Sequence, residues 1–335
     1  MNHRIVSLAL PILVAAMTAC NAGGPTNDAQ RAGESAPSAP TTPPPRGASG
    51  PLDAAHKAYL EGDFTAVAER IRDVLLDPAS NDLVKENAYA LLDKSYEVNG
   101  GRLPATSTMP AGYADLQYGV VRGIAQHGAP FYKLFARGRT RDASHIKGFT
   151  VKRLPDQVLL DKQAKKGTFD LRDDEPGYKD FVIELEDLSS APPDGVYTMR
   201  LELDDGTVGE GWFIAHGLTS SASPEVKTPL PSATLSDPNP LVTWVPFRSP
   251  EYLPFEERTL NVWVSLQDDD KSSWNLWTGD PKDLSSVRLG DHPGFPSAKL
   301  AKGDHWLSLG MGELRRFGPI RIVRNSVTVL PFHLQ

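Results

Sequence analysis

The sequence lacks most of the features that would reveal a function directly. It contains one cysteine among 335 residues, so no disulfide can form within the chain. Its 35 basic residues are outnumbered by 42 acidic ones, and the net charge of −7 argues against a nucleic-acid partner, which usually needs a basic face. No Gly-x-Ser-x-Gly, His-Glu-x-x-His or Gly-x-x-x-x-Gly-Lys motif occurs. We therefore expect a non-enzymatic protein without a cofactor, and no small-molecule substrate is evident.

The apolar run near the start of the chain is too short to cross a membrane. It extends over thirteen residues, from Ile5 to Met17, whereas a transmembrane helix needs about 20. A basic start at Arg4, a short apolar run and small residues after it are typical of a signal peptide. We assign residues 1–19 to this signal.

The single cysteine directly follows the signal, in Met17-Thr18-Ala19-Cys20. This tetrapeptide resembles the bacterial lipobox, in which an apolar residue and two small residues precede a cysteine; Met17 is a less usual first residue. The resemblance implies that Cys20 is diacylated, that the signal is cut before it and that lipid holds the protein to a membrane. Two or more acyl chains anchor stably where one is marginal. The alternative is an ordinary secretory signal with a chance cysteine.

Residues 20–51 predict a lipidated cysteine followed by a disordered, Pro-rich tether. Positions 21–51 hold seven prolines and five glycines but no leucine, isoleucine, valine or aromatic residue. Such a segment cannot bury enough apolar area to offset the entropy of ordering. Asn21 replaces the aspartate that retains lipoproteins at the inner membrane in enteric-type sorting. We therefore expect an outer-membrane lipoprotein of the cell envelope that faces the periplasm or the cell surface.

Residues 52–101 have helical periodicity. Apolar residues recur three and four positions apart in stretches that end near Gly62, Pro78 and Gly100. The segment Ala58-Tyr59-Leu60-Glu61-Gly62-Asp63-Phe64 resembles the turn of a tetratricopeptide repeat. The likeness covers about one and a half repeats, whereas stacked repeats need about three units to be stable alone. We expect a fragment docked on its neighbour or an ordinary helical hairpin.

Residues 113–218 change to a period of two, which is typical of strands. The candidate strands are Leu116–Ile124, Phe131–Arg137, Phe149–Leu160, Phe181–Leu188, Val196–Leu203 and Glu210–Ala215. This number of short strands suggests a sandwich. Asp194-Gly195-Val196-Tyr197 resembles the corner before strand F of immunoglobulin-like domains, where a tyrosine anchors the turn. The absence of a cysteine pair excludes the antibody-type subfamily.

Residues 226–335 predict a second sandwich after a junction rich in Ser, Thr and Pro. The candidate strands are Leu241–Phe247, Leu260–Leu266, Trp274–Trp277, Ala298–Leu300, Trp306–Leu309 and Ile320–Leu334. The patterns around Trp244, Trp263 and Trp306 resemble fibronectin type III domains, with Trp244 as the core tryptophan. The expected fold class is multidomain and mainly β, with a small N-terminal helical hairpin followed by two antiparallel β-sandwiches.

Two sequence features offer metal ligands. The tripeptide Gly-Asp-His occurs at 290–292 and 303–305, and its histidines and carboxylates could bind zinc or form part of an enzyme site. The alternative is two turns, because Gly-Asp favours turns. Acidic clusters at 173–175, 204–205 and 268–270 could bind calcium; the alternative for the cluster at 268–270 is a solvated hairpin tip. We expect no metal, with calcium as the minor alternative.

Five of the six tryptophans lie in the second β region. Along Leu260–Leu266 the aliphatic residues share one face, and Trp263 lies on the other. Trp274 and Trp277 follow across an expected hairpin. If exposed, Trp263, Trp274 and Trp277 could stack on sugar rings or anchor a protein partner. The alternative is that both faces of this sheet are covered.

These features together predict a lipid-anchored envelope protein that binds or scaffolds another envelope protein without catalysis. Its contact surface would be the helical hairpin or the tryptophan-rich region. The alternative is a glycan-binding lipoprotein that uses the tryptophan patch.

Overall fold

The computed structural model describes residue 50 and residues 52–105, 112–124, 130–141, 145–173, 177–218, 224–246, 255–266, 285–288 and 302–335. The expected signal peptide, Cys20 and nearly all of the tether lie outside these ranges. So do the strands expected at Trp274–Trp277 and Ala298–Leu300. No helix within the described ranges has both the length and the apolar character of a membrane span.

Three helices open the described chain: α1 (Asp53–Glu61), α2 (Phe64–Leu76) and α3 (Asp82–Val98). Local chemistry sets their ends. Gly62 adopts the left-handed conformation that closes α1. The Asn81 side chain accepts a hydrogen bond from the Val84 backbone N–H at 3.0 Å and caps α3. The predicted helices are confirmed, whereas their likeness to a tetratricopeptide repeat stays a prediction.

The helical segment packs on the β part of the molecule. Its buried side chains belong to the same hydrophobic core as those of the neighbouring strands, and Arg72 of α2 lies over the ring of Trp212. After α3, Gly101 has a φ of +81°, and a Cβ at this position would collide with the backbone of Glu256. Glycine is therefore required where the chain leaves the helices and enters β1 (Arg102–Leu103).

Fifteen further strands follow in two regions. The first region contains β2 (Tyr113–Ile124), β3 (Pro130–Thr140), β4 (Ile146–Arg153), β5 (Gln157–Asp161), β6 (Thr168–Asp173), β7 (Lys179–Leu188), β8 (Gly195–Leu203) and β9 (Val208–Ala215). The second contains β10 (Val226–Thr228), β11 (Ala233–Leu235), β12 (Leu241–Trp244), β13 (Glu257–Leu266), β14 (Ser286–Arg288), β15 (Gly303–Phe317) and β16 (Ile320–Leu334). The expected fold class, mainly β after a small helical segment, is confirmed.

Strands β2 to β9 form an immunoglobulin-like sandwich. One sheet has the order β2-β3-β7-β6 and the other β5-β4-β8-β9. With β2 as strand A, this is the ABED sheet facing strands C′CFG. Every pairing among these strands is antiparallel. Aromatic side chains without solvent exposure fill the space between the sheets, namely Tyr118, Phe149, Phe181, Tyr197 and Phe213.

The long hairpin of β15 and β16 joins the two β regions. Because β16 pairs with β2 and β15 pairs with β13, one nine-stranded sheet runs through both regions. Near the hairpin turn, Phe317 and Ile320 enter the core of the sandwich. Near its open end, Leu307 and Phe332 pack with Trp244 in a second core, beneath the small sheet β10-β12-β14. The predicted core position of Trp244, 3% exposed, is confirmed.

Two predicted strands are wrong in extent. The single strand expected at Phe149–Leu160 is two strands, β4 and β5, because Pro155 cannot donate a ladder hydrogen bond and Pro-Asp favours a turn. The short strand expected at Trp306–Leu309 is the fifteen-residue β15, since distant strands pair along its whole length.

The pairing of β16 also differs from the expected antiparallel arrangement. Strand β16 runs parallel to β2 and to β11, and β1 runs parallel to β15. The limits expected for the helical segment (52–101) and the two sandwiches (113–218 and 226–335) stay predictions; the shared sheet links the last two stretches.

Candidate functional site

A cleft opens at one end of the immunoglobulin-like sandwich. It lies beside the start of β2 and the end of β3, between the residues just before β4 and β7 and the turn from β8 to β9. Its volume is about 600 Å³, which is within the range of ligand sites in proteins. Its lining includes Tyr113, Arg141, His145, Tyr178, Leu203 and Asp205. Tyrosine and arginine are among the residue types that most often dominate binding at interfaces.

Three arginines alternate along the end of β3, and their partners differ. Arg137 Nη2 lies 3.1 Å from Asp180 Oδ2, and Arg139 Nε lies 3.8 Å from the other oxygen of that carboxylate. Arg141 is exposed, and its guanidinium carbon lies 5.0 Å from the centroid of the Tyr178 ring. Within the described part of the chain, no carboxylate pairs with Arg141. This arginine is a cation held against a ring and open to solvent.

The acidic residue at the rim of the cleft is engaged in a turn. Asp205 Oδ1 accepts a hydrogen bond from the Thr207 backbone N–H at 2.8 Å, and this bond lowers the pKa of Asp205. The Asp204 backbone N–H donates to the carbonyl of His145 at 2.9 Å. The β8–β9 turn and the β3–β4 connection are thereby joined.

A tyrosine corner lies at the other end of β8. The buried Tyr197 donates its hydroxyl hydrogen bond to the carbonyl of Pro193, four residues upstream, as predicted from the sequence. Arg153 Nε donates to the carbonyl of Asp194 at 3.1 Å in the same corner. Strand β8 rises about 3.3 Å per residue, so its nine residues separate this corner from the cleft by roughly 27 Å.

His216 joins the helical segment to the tyrosine corner. Its Nδ1 lies 2.9 Å from Asp194 Oδ2, its Nε2 lies 3.4 Å from Asp93 Oδ2 in α3, and its ring stacks on Tyr89 at 4.2 Å between centroids. Burial lowers the pKa of His216, but the hydrogen bonds to Asp194 and Asp93 outweigh burial and raise the pKa to about 9. The imidazole is therefore a cation between two carboxylates at neutral pH.

A stack of aromatic rings and guanidinium groups extends this junction to the long hairpin. Arg315 of β15 lies over Tyr96 of α3 at 4.8 Å and over Phe255 at 5.0 Å, and Arg324 of β16 lies over Phe255 at 4.6 Å. Arg315 Nη1 also lies 3.0 Å from Asp93 Oδ1. One aspartate of α3 therefore contacts both the histidine after β9 and the arginine of β15.

Arg324 and Glu313 form a buried ion pair across the hairpin. The two residues are direct neighbours in the register of β15 and β16, and each side chain is 1% exposed. Arg324 Nε donates to Glu313 Oε2 at 2.8 Å, Nη2 donates to the same oxygen, and Nη1 donates to the carbonyl of Gly217 at 3.0 Å. These bonds tie the hairpin to the end of β9. We refer to the set Asp93, Asp194, His216, Glu313, Arg315 and Arg324 as the junction.

The binding patch expected from the sequence is described only in part. Trp263 lies in β13, where its backbone is opposite Ser308 of β15. Trp274, Trp277 and the lipidation residue Cys20 lie outside the described ranges. The patch and the lipidation therefore stay predictions.

The second Gly-Asp-His tripeptide is the start of β15, and its two candidate ligands diverge. Asp304 Oδ1 pairs with His333 Nδ1 at 2.7 Å on the surface, whereas His305 is buried and stacks on Phe332. Successive strand residues point to opposite faces, so Asp304 and His305 do not share a metal ion. The described ranges contain no group of three or more His, Cys, Asp and Glu residues placed to hold a metal; the first tripeptide and the cluster at 268–270 lie outside them.

Sequence reasoning missed both the cleft and the junction. The cleft draws Tyr113 from the start of β2 and Arg141, Tyr178 and Asp205 from positions just outside three other strands, and the junction draws Asp93 from a helix. One usable signal was present, the alternation of arginines past the expected end of the strand Phe131–Arg137. Alternation shows that these side chains share a face, but it does not show which of them finds a carboxylate.

Comparisons with known proteins add weak likenesses of fold. No protein-family model matches the chain, and no curated protein matches it. The chain is similar to fibronectin(III)-like modules of CbhA from Clostridium thermocellum, at 10% identity and a TM-score of 0.19, over 69% of this chain and 94% of that one. It is also similar to the N-terminal Ig1-2 module of the Drosophila receptor protein tyrosine phosphatase DLAR, at 10% identity and a TM-score of 0.26, over 68% and 98% of the two chains.

A third solved structure is the BSP domain of a biofilm associated protein, at 12% identity and a TM-score of 0.23, over 72% of this chain and 32% of that one. These neighbours are mostly immunoglobulin- or fibronectin-like. At such TM-scores the assignment of an immunoglobulin-like sandwich rests on strand order, on register and on the tyrosine corner.

Proposed function

We propose that the chain is a lipid-anchored protein of the bacterial outer membrane that binds or scaffolds another envelope protein without catalysis. The observation that carries this proposal is the continuity of the folded part. The helices share one hydrophobic core with the sandwich, and one sheet continues from the sandwich into the second β region. A close-packed body of this kind keeps its surfaces at fixed distances, which a scaffold requires. Fold alone does not determine function.

The junction supports the scaffolding role. His216 contacts Asp93 of α3 and Asp194 of the tyrosine corner, and Arg315 contacts Asp93 from β15. A single carboxylate therefore links the helical segment, the sandwich and the long hairpin. Such a link opposes hinge motion among the three parts, because moving any one of them would separate paired, partly buried charges.

The expected tether leads into a packed part of the chain. Leu52, the first residue after the tether expected at 20–51, has no solvent exposure. Lipid on Cys20 would then be followed by a spacer and by the helical segment. The cleft lies at the end of β8 remote from the contact of His216 with the helices.

Metabolic labelling with palmitate tests the anchor. We expect label in the full-length protein and none in Cys20→Ala, because the chain has no other cysteine. Ser38→Ala in the tether is the matched control and should keep the label. Absence of label from the wild type would overturn the lipidation.

Affinity capture from intact cells tests the binding role. We expect one defined envelope protein to co-purify with the wild type, and less of it with Cys20→Ala, which is no longer held at the membrane. If labelled protein captures no protein partner, the scaffolding role is wrong. Glycan binding would then be the better explanation, and Trp263→Ala would test it.

A further inference from the structure

We infer that the cleft at the loop end of the sandwich binds the carboxylate of an acidic polypeptide segment, with Arg141 as the anion-binding residue. The inference rests on the proposed binding function and specifies its ligand. Its basis is the row of alternate arginines formed by Arg137 and Arg139 of β3 and by Arg141, which directly follows the strand. Arg137 and Arg139 both lie against Asp180, whereas Arg141 faces the cleft, and the described residues supply no carboxylate to it.

The geometry around Arg141 suits a carboxylate in particular. A guanidinium presents a planar fork of N–H donors that matches the two oxygens of a carboxylate. The Tyr178 ring lies 5.0 Å from its carbon, and this contact with the face of the ring limits the positions that the side chain can adopt. The arginine is thus oriented before a ligand arrives, which reduces the entropy lost on binding.

The acidic group at the rim does not occupy the arginine. Asp205 accepts the Thr207 backbone N–H at 2.8 Å, so its carboxylate closes the β8–β9 turn. Asp180 is also paired, because its Oδ2 lies 3.1 Å from Nη2 of Arg137 in β3. An incoming carboxylate would therefore meet Arg141 without having to displace a described ion pair.

The aromatic surfaces favour a peptide over a sugar. Sugar rings stack on open aromatic faces, but Tyr178 carries Arg141 at 5.0 Å and Arg139 at 5.8 Å. The ring of Tyr113 packs edge-on against Phe181 at 6.0 Å. The cleft, about 600 Å³, is larger than a carboxylate alone needs. Its remaining space, beside Tyr113 and Leu203, suits an apolar residue next to the acidic one.

The test is selection of random displayed dodecapeptides against the full-length protein in detergent. In one library the peptides end in free C-termini, and in the other the C-terminus of each peptide is fused to the carrier protein. We expect selected sequences rich in Asp or Glu beside an apolar residue. Enrichment in both libraries assigns the carboxylate to a side chain, and enrichment only in the first assigns it to a chain end.

Binding of the selected peptides to variants then decides the role of Arg141. We expect at least a tenfold loss of affinity for Arg141→Ala, a smaller loss for Arg141→Lys, which keeps the charge without the fork, and no change for Arg200→Ala. Arg200 is the matched control because it is a half-exposed arginine on β8, 3.8 Å from Glu202. If Arg141→Ala does not fold, as judged by near-ultraviolet circular dichroism, Arg141→Gln replaces it.

Three results would overturn the inference. They are selection of no peptide, selection without acidic enrichment, and acidic peptides that bind Arg141→Ala as well as wild type. Binding of polygalacturonate that depends on Arg141, in the absence of selected peptides, would instead assign the cleft to an acidic glycan. Palmitate labelling through Cys20 is read separately, so a failed anchor and a failed cleft are distinguishable.

Discussion

Arg315 in the junction and Arg141 in the cleft both stack on a tyrosine ring, yet their surroundings differ in one decisive respect. Arg315 is 4% exposed and pairs with Asp93, whereas Arg141 is exposed and the described chain offers it no carboxylate. The same local contact is structural where a distant carboxylate completes it and open to a ligand where none does. In this molecule, the role of an arginine is therefore decided by the charge that faces it.

The two regions also differ in how far their charged groups are exposed to solvent. The junction buries Arg315 and Arg324 and partly buries His216, and it pairs these cations with Asp93, Asp194 and Glu313. Such pairs are costly to break, since the partner is left buried and charged. At the loop end the guanidinium of Arg141 stays in water, where exchanging one ionic partner for another changes the free energy little. We expect substitutions in the junction to change stability and substitutions at the loop end to change binding.

The largest expected effect is loss of the buried pair in the hairpin. Arg324→Met leaves Glu313 charged and buried, and we expect the free energy of unfolding to fall by about 3–5 kcal/mol. Urea denaturation followed by tryptophan fluorescence measures it. Arg288→Met is the control, because Arg288 and Asp237 are 41% and 53% exposed, and an exposed pair contributes less than about 1 kcal/mol. Equal losses in the two variants would contradict the comparison.

The next effect is a pH dependence that originates in the junction. The pKa of His216 is about 9 in the fold against about 6.5 in the unfolded chain. A raised folded pKa stabilises the protein fully below pH 6.5, and this contribution is lost as pH rises through 9. We expect up to about 3 kcal/mol to disappear between these values.

His216→Gln isolates that contribution. The variant should be destabilised most at pH 6 and least at pH 9.5, as measured by urea midpoints across the range. Burial raises the pKa of the neighbouring Tyr89 and raises that of Tyr197 to about 12, so neither tyrosine titrates in the same interval. A constant difference between variant and wild type at all pH values would show that His216 is not the titrating group.

A smaller effect is expected at the tyrosine corner. Tyr197→Phe removes the hydrogen bond to the Pro193 carbonyl, and we expect a loss of about 1 kcal/mol in unfolding free energy. Thermal unfolding measures this loss, and Tyr178→Phe is the control variant. The Tyr178 hydroxyl makes no hydrogen bond within the described residues, so Tyr178→Phe should melt like the wild type.

The smallest expected effect is that of Arg141 on stability. Arg141→Ala should change the unfolding free energy by less than about 0.5 kcal/mol, since the side chain is exposed and carries no ion pair among the described residues. A loss above about 1 kcal/mol in urea denaturation would show that Arg141 stabilises the fold as the junction arginines do, and the two regions would then not differ in this respect.

Local chemistry made several features predictable from the sequence. The helix ends at Gly62 and Asn81 follow from residues that cap helices by themselves. The alternation of Tyr197, Met199, Leu201 and Leu203 predicted one face of β8; the first three side chains have no exposure, and Leu203, at the end of the strand, is partly exposed. The tyrosine corner was also predictable, because its hydrogen bond spans only four residues.

Features that depend on distant partners were not predictable. Beyond Leu309, β15 continues through two glycines and several charged residues, a composition that resembles a loop. It is a strand because β13 and β16 pair along it. The parallel pairing of β16 with β2 joins segments from opposite ends of the fold, and side-chain periodicity carries no information on the direction of a neighbour.

The sequence by itself determined the helical segment, the alternation of most strands and the tyrosine corner, since each depends on residues a few positions apart. Only the tertiary structure decided that Asp93 meets His216 and Arg315, whereas Arg141 meets no carboxylate among the described residues. The physical reason is that a charge is neutralised by whichever groups the fold brings within a few ångströms. Periodicity fixes the face on which a side chain lies, and the packing of remote elements fixes what it touches.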